Sequence, residues 1–249
     1  MAIDYTKRPQ PEPRPDPEPA PPAAEAGPAV TAQGGPRKVT LTKGAPRVSL
    51  TKTAGVAGIA RVNLNWSAAA PPPAPAAGSG LFSRMTKAAS AVSAPAGIDL
   101  DLGCLYELAD GRKGVIQALG NAFGSLDAPP WIALDGDDRT GTVAGGENMS
   151  INLGQPGRFK RVLIFAMIYE GAPNWAAVDG VVTLTSAGGQ QFEVRLDDAG
   201  VGSRMCAVAQ LVQAGGDLVF QREVRYIEGG QVALDQAFGW GMNWSRGRK

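Results

Sequence analysis

Six carboxylates stand where their oxygens could meet. Asp99 and Asp101 are two residues apart. Asp135, Asp137 and Asp138 lie in Leu134-Asp-Gly-Asp-Asp-Arg-Thr-Gly141, and Glu147 follows Gly145-Gly146. Residues two apart on a strand share a face, so Asp99 and Asp101 can aim at one point. Between Asp99 and Glu147 there are nine carboxylates and three bases, a formal charge of −6 in a chain whose total is +1. Such crowding is unfavourable unless cations offset the repulsion. Oxygens gathered from separate loops suit Ca²⁺ better than Mg²⁺, which demands stricter octahedral geometry and keeps its waters. Turn chemistry is the competing reading, because Asp, Asn and Gly dominate turns for local reasons. Asp135-Gly-Asp-Asp138 begins like an EF-hand loop, but its twelfth position is Gly146 rather than an acid, so it is not one. A carboxylate pair could also serve a glycosidase. The aromatics are few, and Trp131 is the one near these acids, which argues against a sugar cleft.

Other chemistry is narrowed by what the chain lacks. It has no histidine, so neither a Ser-His-Asp or Cys-His nucleophile nor an imidazole zinc site can be built. Its two cysteines, Cys104 and Cys206, have no metal-ligand spacing, and each sits in an apolar strand-like run. Buried free thiols are expected there, with a disulfide across a sandwich as the alternative. The N-terminus has no apolar core of the signal-peptide kind, and the longest apolar run, Val162 to Tyr169, is too short for a transmembrane segment. A soluble, cytoplasmic protein is expected. The near-neutral charge gives no reason to expect nucleic acid.

The elements that must position the acids are read from pattern. Residues 1–36 hold ten of the twenty prolines and read as a disordered arm, most simply a spacer. Residues 37–66 alternate apolar with polar in Val39–Lys43, Val48–Lys52 and Arg61–Trp66, the mark of strands, and carry six bases and no acid. Residues 67–96 are Ala/Pro-rich and read as a flexible insertion. Residues 97–249 form the main body. Strands are expected at Leu102–Leu108, Lys113–Leu119, Trp131–Leu134, Met149–Leu153, Arg161–Tyr169, Val181–Thr185, Gln191–Leu196, Met205–Leu211 and Leu218–Tyr226, with one helix at Gln231–Phe238. Short strands without long intervening helices indicate an all-β fold, a β-sandwich. Val162 to Phe165 is apolar on both faces, as a central strand should be. The Gly-Trp segment Phe238–Trp244 is expected to seal one end of the sandwich.

The sequence resembles the TerD-domain family of tellurium-resistance and stress-response proteins, and within it a TerA-type member. The resemblance is carried by Val39-Thr-Leu-Thr-Lys43 with Val48-Ser-Leu-Thr-Lys52, by Ile98-Asp-Leu-Asp101 and by the Leu134–Gly141 loop. It continues in Lys160-Arg-Val-Leu-Ile-Phe165 with Ile168-Tyr169, Phe192–Leu196, Cys206–Leu211 and Phe238-Gly-Trp-Gly241. It covers about residues 37–248 apart from 67–96, and the combination is specific where each piece alone is weak. The resemblance implies a β-sandwich that binds Ca²⁺ through Asp99, Asp101, Asp137, Asp138 and Glu147; Asp135 sits where many members are not acidic. It also implies a non-enzymatic role in stress, tellurite resistance or phage defence, in complexes with other Ter-type proteins at the membrane surface. Two departures from the family pattern are the 67–96 insertion and the reduction of an acidic run to Gly145-Gly146-Glu147. The alternative is a scaffold that binds its partner without metal.

Overall fold

The computed structural model describes residues 38–50, 58–67, 97–135, 145–197 and 202–245. In chain order the strands are β1 (Lys38–Thr40), β2 (Arg47–Ser49), β3 (Ile59–Asn65), β4 (Asp99–Leu108), β5 (Lys113–Ile116), β6 (Gly124–Ser125) and β7 (Ile132–Leu134). They continue as β8 (Glu147–Asn152), β9 (Phe159–Glu170), β10 (Gly180–Thr185), β11 (Gln191–Leu196), β12 (Met205–Ala214) and β13 (Asp217–Ile227), followed by one helix, α1 (Gln231–Phe238). The first sheet runs β1-β11-β10-β3-β8-β7-β6 and the second β2-β13-β12-β9-β4-β5. This is a two-sheet, all-β sandwich.

The alternation read from the sequence decides which side chains enter the layer between the sheets. In β3, Ala60, Val62 and Leu64 are fully buried while Ile59, Arg61 and Asn65 face out. Residues 38–65 are shared between the sheets. β1 pairs with β11 and β3 pairs with β10 and β8 in one sheet, whereas β2 pairs with β13 in the other. The N-terminal strands are therefore part of the body that follows the 67–96 segment.

The second sheet buries both faces. β9 lies between β12 and β4, and Val162 and Ile164 point into the inter-sheet core. Leu163 and Phe165 point the other way, into a second cluster with Leu105, Met205, Ala207, Ile227, Leu234 and Trp240. Burying each such side chain contributes roughly 1.5–3 kcal/mol. Gly103 makes room for this cluster, because a Cβ there would strike the Phe165 ring. The cover of this outer face is α1 and the segment after it. The Gly-Trp segment thus seals a sheet face rather than an end of the sandwich. Trp240 is fully buried among residues far away in sequence, which no local pattern could reveal. Val232 does not belong to the helix's buried face and is 50% exposed.

Polar groups fasten this cover. The Asp235 carboxylate accepts hydrogen bonds from Gly241 N–H at 2.8 Å, and from Met242 N–H and the Trp244 indole, each at 2.9 Å. Burial alone would raise the Asp235 pKa, but these donors outweigh it and hold the carboxyl below its usual range. The Arg161 guanidinium stacks 3.8 Å from the Trp240 ring centroid and donates to the Phe238 and Gly239 carbonyls. Arg161 Nε also donates to Glu107 at 2.7 Å, and Lys160 Nζ does so at 2.8 Å. Gly239, in the left-handed region at φ 59°, ends the helix.

Boundaries differ from the sequence expectation where burial hides the pattern. β4 begins at Asp99 rather than Leu102, β8 at Glu147 rather than Met149, and β9 runs from Phe159 to Glu170. Along β4 nine of ten residues are buried, so the alternation that locates a half-exposed strand is absent. The two-residue β6 is too short to carry a periodicity. Among the described residues no helix is long and apolar enough to cross a membrane.

Candidate functional site: an acidic corner between the sheets

The acids singled out above fall into three situations. Asp99, Asp101 and Glu147 are buried, at 7%, 2% and 2% exposure. Asp135 is exposed at the end of β7. Asp137 and Asp138 lie outside the described residues.

Glu147 opens β8, where Met149 and Ile151 point into the inter-sheet core. Strand alternation sends Glu147 the same way. Its carboxylate crosses from the first sheet to the second and accepts the backbone N–H of Leu102 at 2.5 Å. That amide is available because β5 pairs only with Cys104–Glu107 of β4, leaving the edge at Leu102 open. The same amide follows Asp101 directly in the chain. The Glu147 carboxylate thus reaches the backbone of the Asp-x-Asp element, beside Asp101. Alternation places Asp99 and Asp101 on one face of β4, opposite to Leu100 and Leu102, which enter the core.

The stem that delivers Glu147 is tightly held. Gly146 adopts φ 66°, in the left-handed region, and a Cβ there would fall on the Leu64 carbonyl oxygen. Glycine is needed on both counts. Asn63, across β3, donates from Nδ2 to the Gly145 carbonyl at 2.5 Å and to Asn148 Oδ1 at 3.0 Å. Asp135 enters the same stem through its backbone, its N–H donating to the Asn148 carbonyl at 2.9 Å. Its side chain points to solvent. Sequence reasoning missed Asn63: it is one polar residue in an alternating strand, and its role depends on contacts more than eighty residues away in the chain.

Other acids of the stretch are accounted for elsewhere. Glu107 is neutralised by Lys160 and Arg161. Burial would raise its pKa, and these two bases together hold it below the usual range. Asp110 pairs with Arg112 in the exposed β4–β5 turn, and the Asp127 N–H donates to Ser125 Oγ.

Among the described residues, no group of three or more His, Cys, Asp or Glu side chains is placed to hold a metal ion. The donors at the corner are carboxylate oxygens with amide and carbonyl groups around them. That set fits a hard cation such as Ca²⁺ and does not fit zinc or copper. Neither cysteine is in a disulfide, and both are fully buried. Burial pushes the Cys104 thiol far up, against a smaller opposing effect from the Ile116 backbone. Neither thiol is placed to act as a nucleophile or reductant in the folded chain.

The two-sheet, all-β sandwich defines the class. Comparison with known proteins supplies the family. The chain is 43% identical over 212 residues, 85% of its length, to the tellurium resistance protein TerA of Alcaligenes sp. It belongs to the TerD-domain tellurium-resistance family, as the sequence motifs indicated. The chain spans 58% of that relative's own length. Two solved structures are similar to parts of it. One is a protein of unknown function, SAV2460, at TM-score 0.45 and 20% identity, covering 70% of this chain and 92% of that one. The other is a homologue of the telluride resistance protein TerD from Streptomyces coelicolor A3(2), at TM-score 0.44 and 21% identity, covering 71% and 94%. No family model matches the chain.

Proposed function

We propose that the chain is a non-enzymatic Ca²⁺-binding module of the tellurium-resistance response. In this reading Asp99, Asp101 and Glu147 supply oxygens at the acidic corner, and Asp137 and Asp138 supply more from the adjoining loop. Asp135 takes part through its backbone. The observation that carries the reading is the buried Glu147 carboxylate reaching across the sheets to the amide that follows Asp101. A buried carboxylate must be matched by hydrogen bonds or by an opposite charge. A Ca²⁺ ion there would neutralise these acids and tie β8 to β4. The absence of histidine, and the burial of both thiols, speak against hydrolytic or thiol-based chemistry on tellurite. The output we infer is assembly with other Ter-type stress proteins, in the cytoplasm and at the membrane surface.

Linkage provides the test. A ligand that binds only the folded chain stabilises it by about 2.7 kcal/mol at a hundredfold excess over Kd. The melting temperature in millimolar Ca²⁺ should exceed that in chelator by several degrees. Identical melting in both would count against the reading. A metal-independent scaffold is the second reading, favoured by the lack of a three-carboxylate group among the described residues. It predicts partner capture that is insensitive to chelator.

A further inference from the structure

We infer that Asn63 is a positioning residue for the acidic corner; the inference rests on the reading of that corner as a cation site. Asn63 and Asn148 are cross-strand partners on the outer face of the first sheet. The Asn63 amide reaches three acceptors: the Gly145 carbonyl at 2.5 Å, Asn148 Oδ1 at 3.0 Å and the Glu147 carbonyl at 3.5 Å. Asn148 Nδ2 in turn donates to the Gly146 carbonyl at 3.4 Å. Residues 145–148 are therefore gripped from outside by one side chain of β3. Glu147 is the residue whose side chain leaves that stem on the opposite side, toward Leu102.

The mechanical consequence follows from strand geometry. Fixing the backbone plane at residue 147 fixes the direction of its Cβ. The closeness of Gly146 to the Leu64 carbonyl allows little slack on the neighbouring residue. Asn63 thus sets the reach of the Glu147 carboxylate without touching any ion. Groups that orient ligands in this way typically change metal affinity 10–100-fold when removed. The orienting residue comes from β3, which precedes the 67–96 segment, whereas every acid of the corner follows it.

The test compares Asn63→Ala with Thr183→Ala. Thr183 is the β10 partner of Asn63 in the same sheet, on the side of β3 away from β8. Ca²⁺ is titrated into each metal-free protein by calorimetry, and amide exchange is measured without metal. Asn63→Ala should weaken Ca²⁺ binding about 10- to 100-fold and speed exchange at 145–148 while leaving the β4–β9–β12 core protected. Thr183→Ala should bind as wild type does. Wild-type affinity in Asn63→Ala, unchanged exchange at 145–148, or an equal loss in Thr183→Ala would each overturn the positioning role alone. Absence of Ca²⁺ binding by the wild-type protein would overturn the cation reading and this inference with it.

Discussion

Glu147 and Leu102 belong to different sheets, yet the carboxylate of one accepts the backbone N–H of the other at 2.5 Å, both deeply buried. This bond closes the acidic corner. Glu147→Ala would leave a buried amide without its acceptor, at a cost of about 1–3 kcal/mol. Glu147→Gln keeps an acceptor oxygen and should cost less. Urea denaturation of the two variants should show that order. Equal and negligible losses would mean that the crossing does not hold the sheets.

Gly146→Ala tests the stem by steric means. The residue sits at positive φ, and the added methyl would meet the Leu64 carbonyl, which is backbone and cannot rotate away. A loss larger than the roughly 1 kcal/mol of an ordinary positive-φ glycine replacement is expected. It should come with faster amide exchange at Glu147 and Asn148. Gly111 is the control, because it also has positive φ but open space around it.

Acid should loosen the cover of the second sheet first. Glu107 and Asp235 both have pKa values lowered in the folded chain. Groups of that kind contribute stability at neutral pH, and the contribution is lost as pH falls through the folded pKa. Below about pH 4, the ordinary carboxylate range, the bonds from Lys160 and Arg161 to Glu107 and from Met242 and Trp244 to Asp235 should fail. Emission from Trp240 and Trp244 would then shift to the red. Asp235→Asn should lower stability at pH 7 and flatten the pH dependence. An unchanged pH profile in that variant would show that Asp235 does not fasten the segment.

Thiol reactivity separates a packing role for the cysteines from a chemical one. Cys104 and Cys206 are fully buried and the Cys104 thiol is strongly disfavoured as thiolate. A disulfide-exchange reagent should label neither in the native protein and both after unfolding. Rapid labelling of the native chain would reopen thiol chemistry on tellurite.

Much of the fold can be read from residue pattern, and the reasons for the exceptions are physical. β3, β10 and β11 have one polar and one apolar face, so period-two alternation marks them. β4 and β9 are covered on both sides, and there alternation gives way to a continuous buried run. That is why the pattern places the start of β4 at Leu102, although Asp99 and Asp101 are among its buried first residues. The outer cluster around Phe165 and Trp240 joins residues 75 positions apart, a relationship that local sequence does not encode. Asp99, Asp101 and Glu147 stand out in the sequence as acids beside apolar, strand-like runs, and the structure buries all three. Asn63 does not stand out, since its importance lies only in what stands opposite it.

Calorimetric titration of Ca²⁺ into the metal-free chain, repeated with Asp101→Asn and Glu147→Gln, addresses the central claim most directly. The account predicts saturable binding by the wild-type protein and a loss of at least tenfold in affinity in each variant. Absence of binding at millimolar Ca²⁺, or wild-type affinity in both variants, would contradict it.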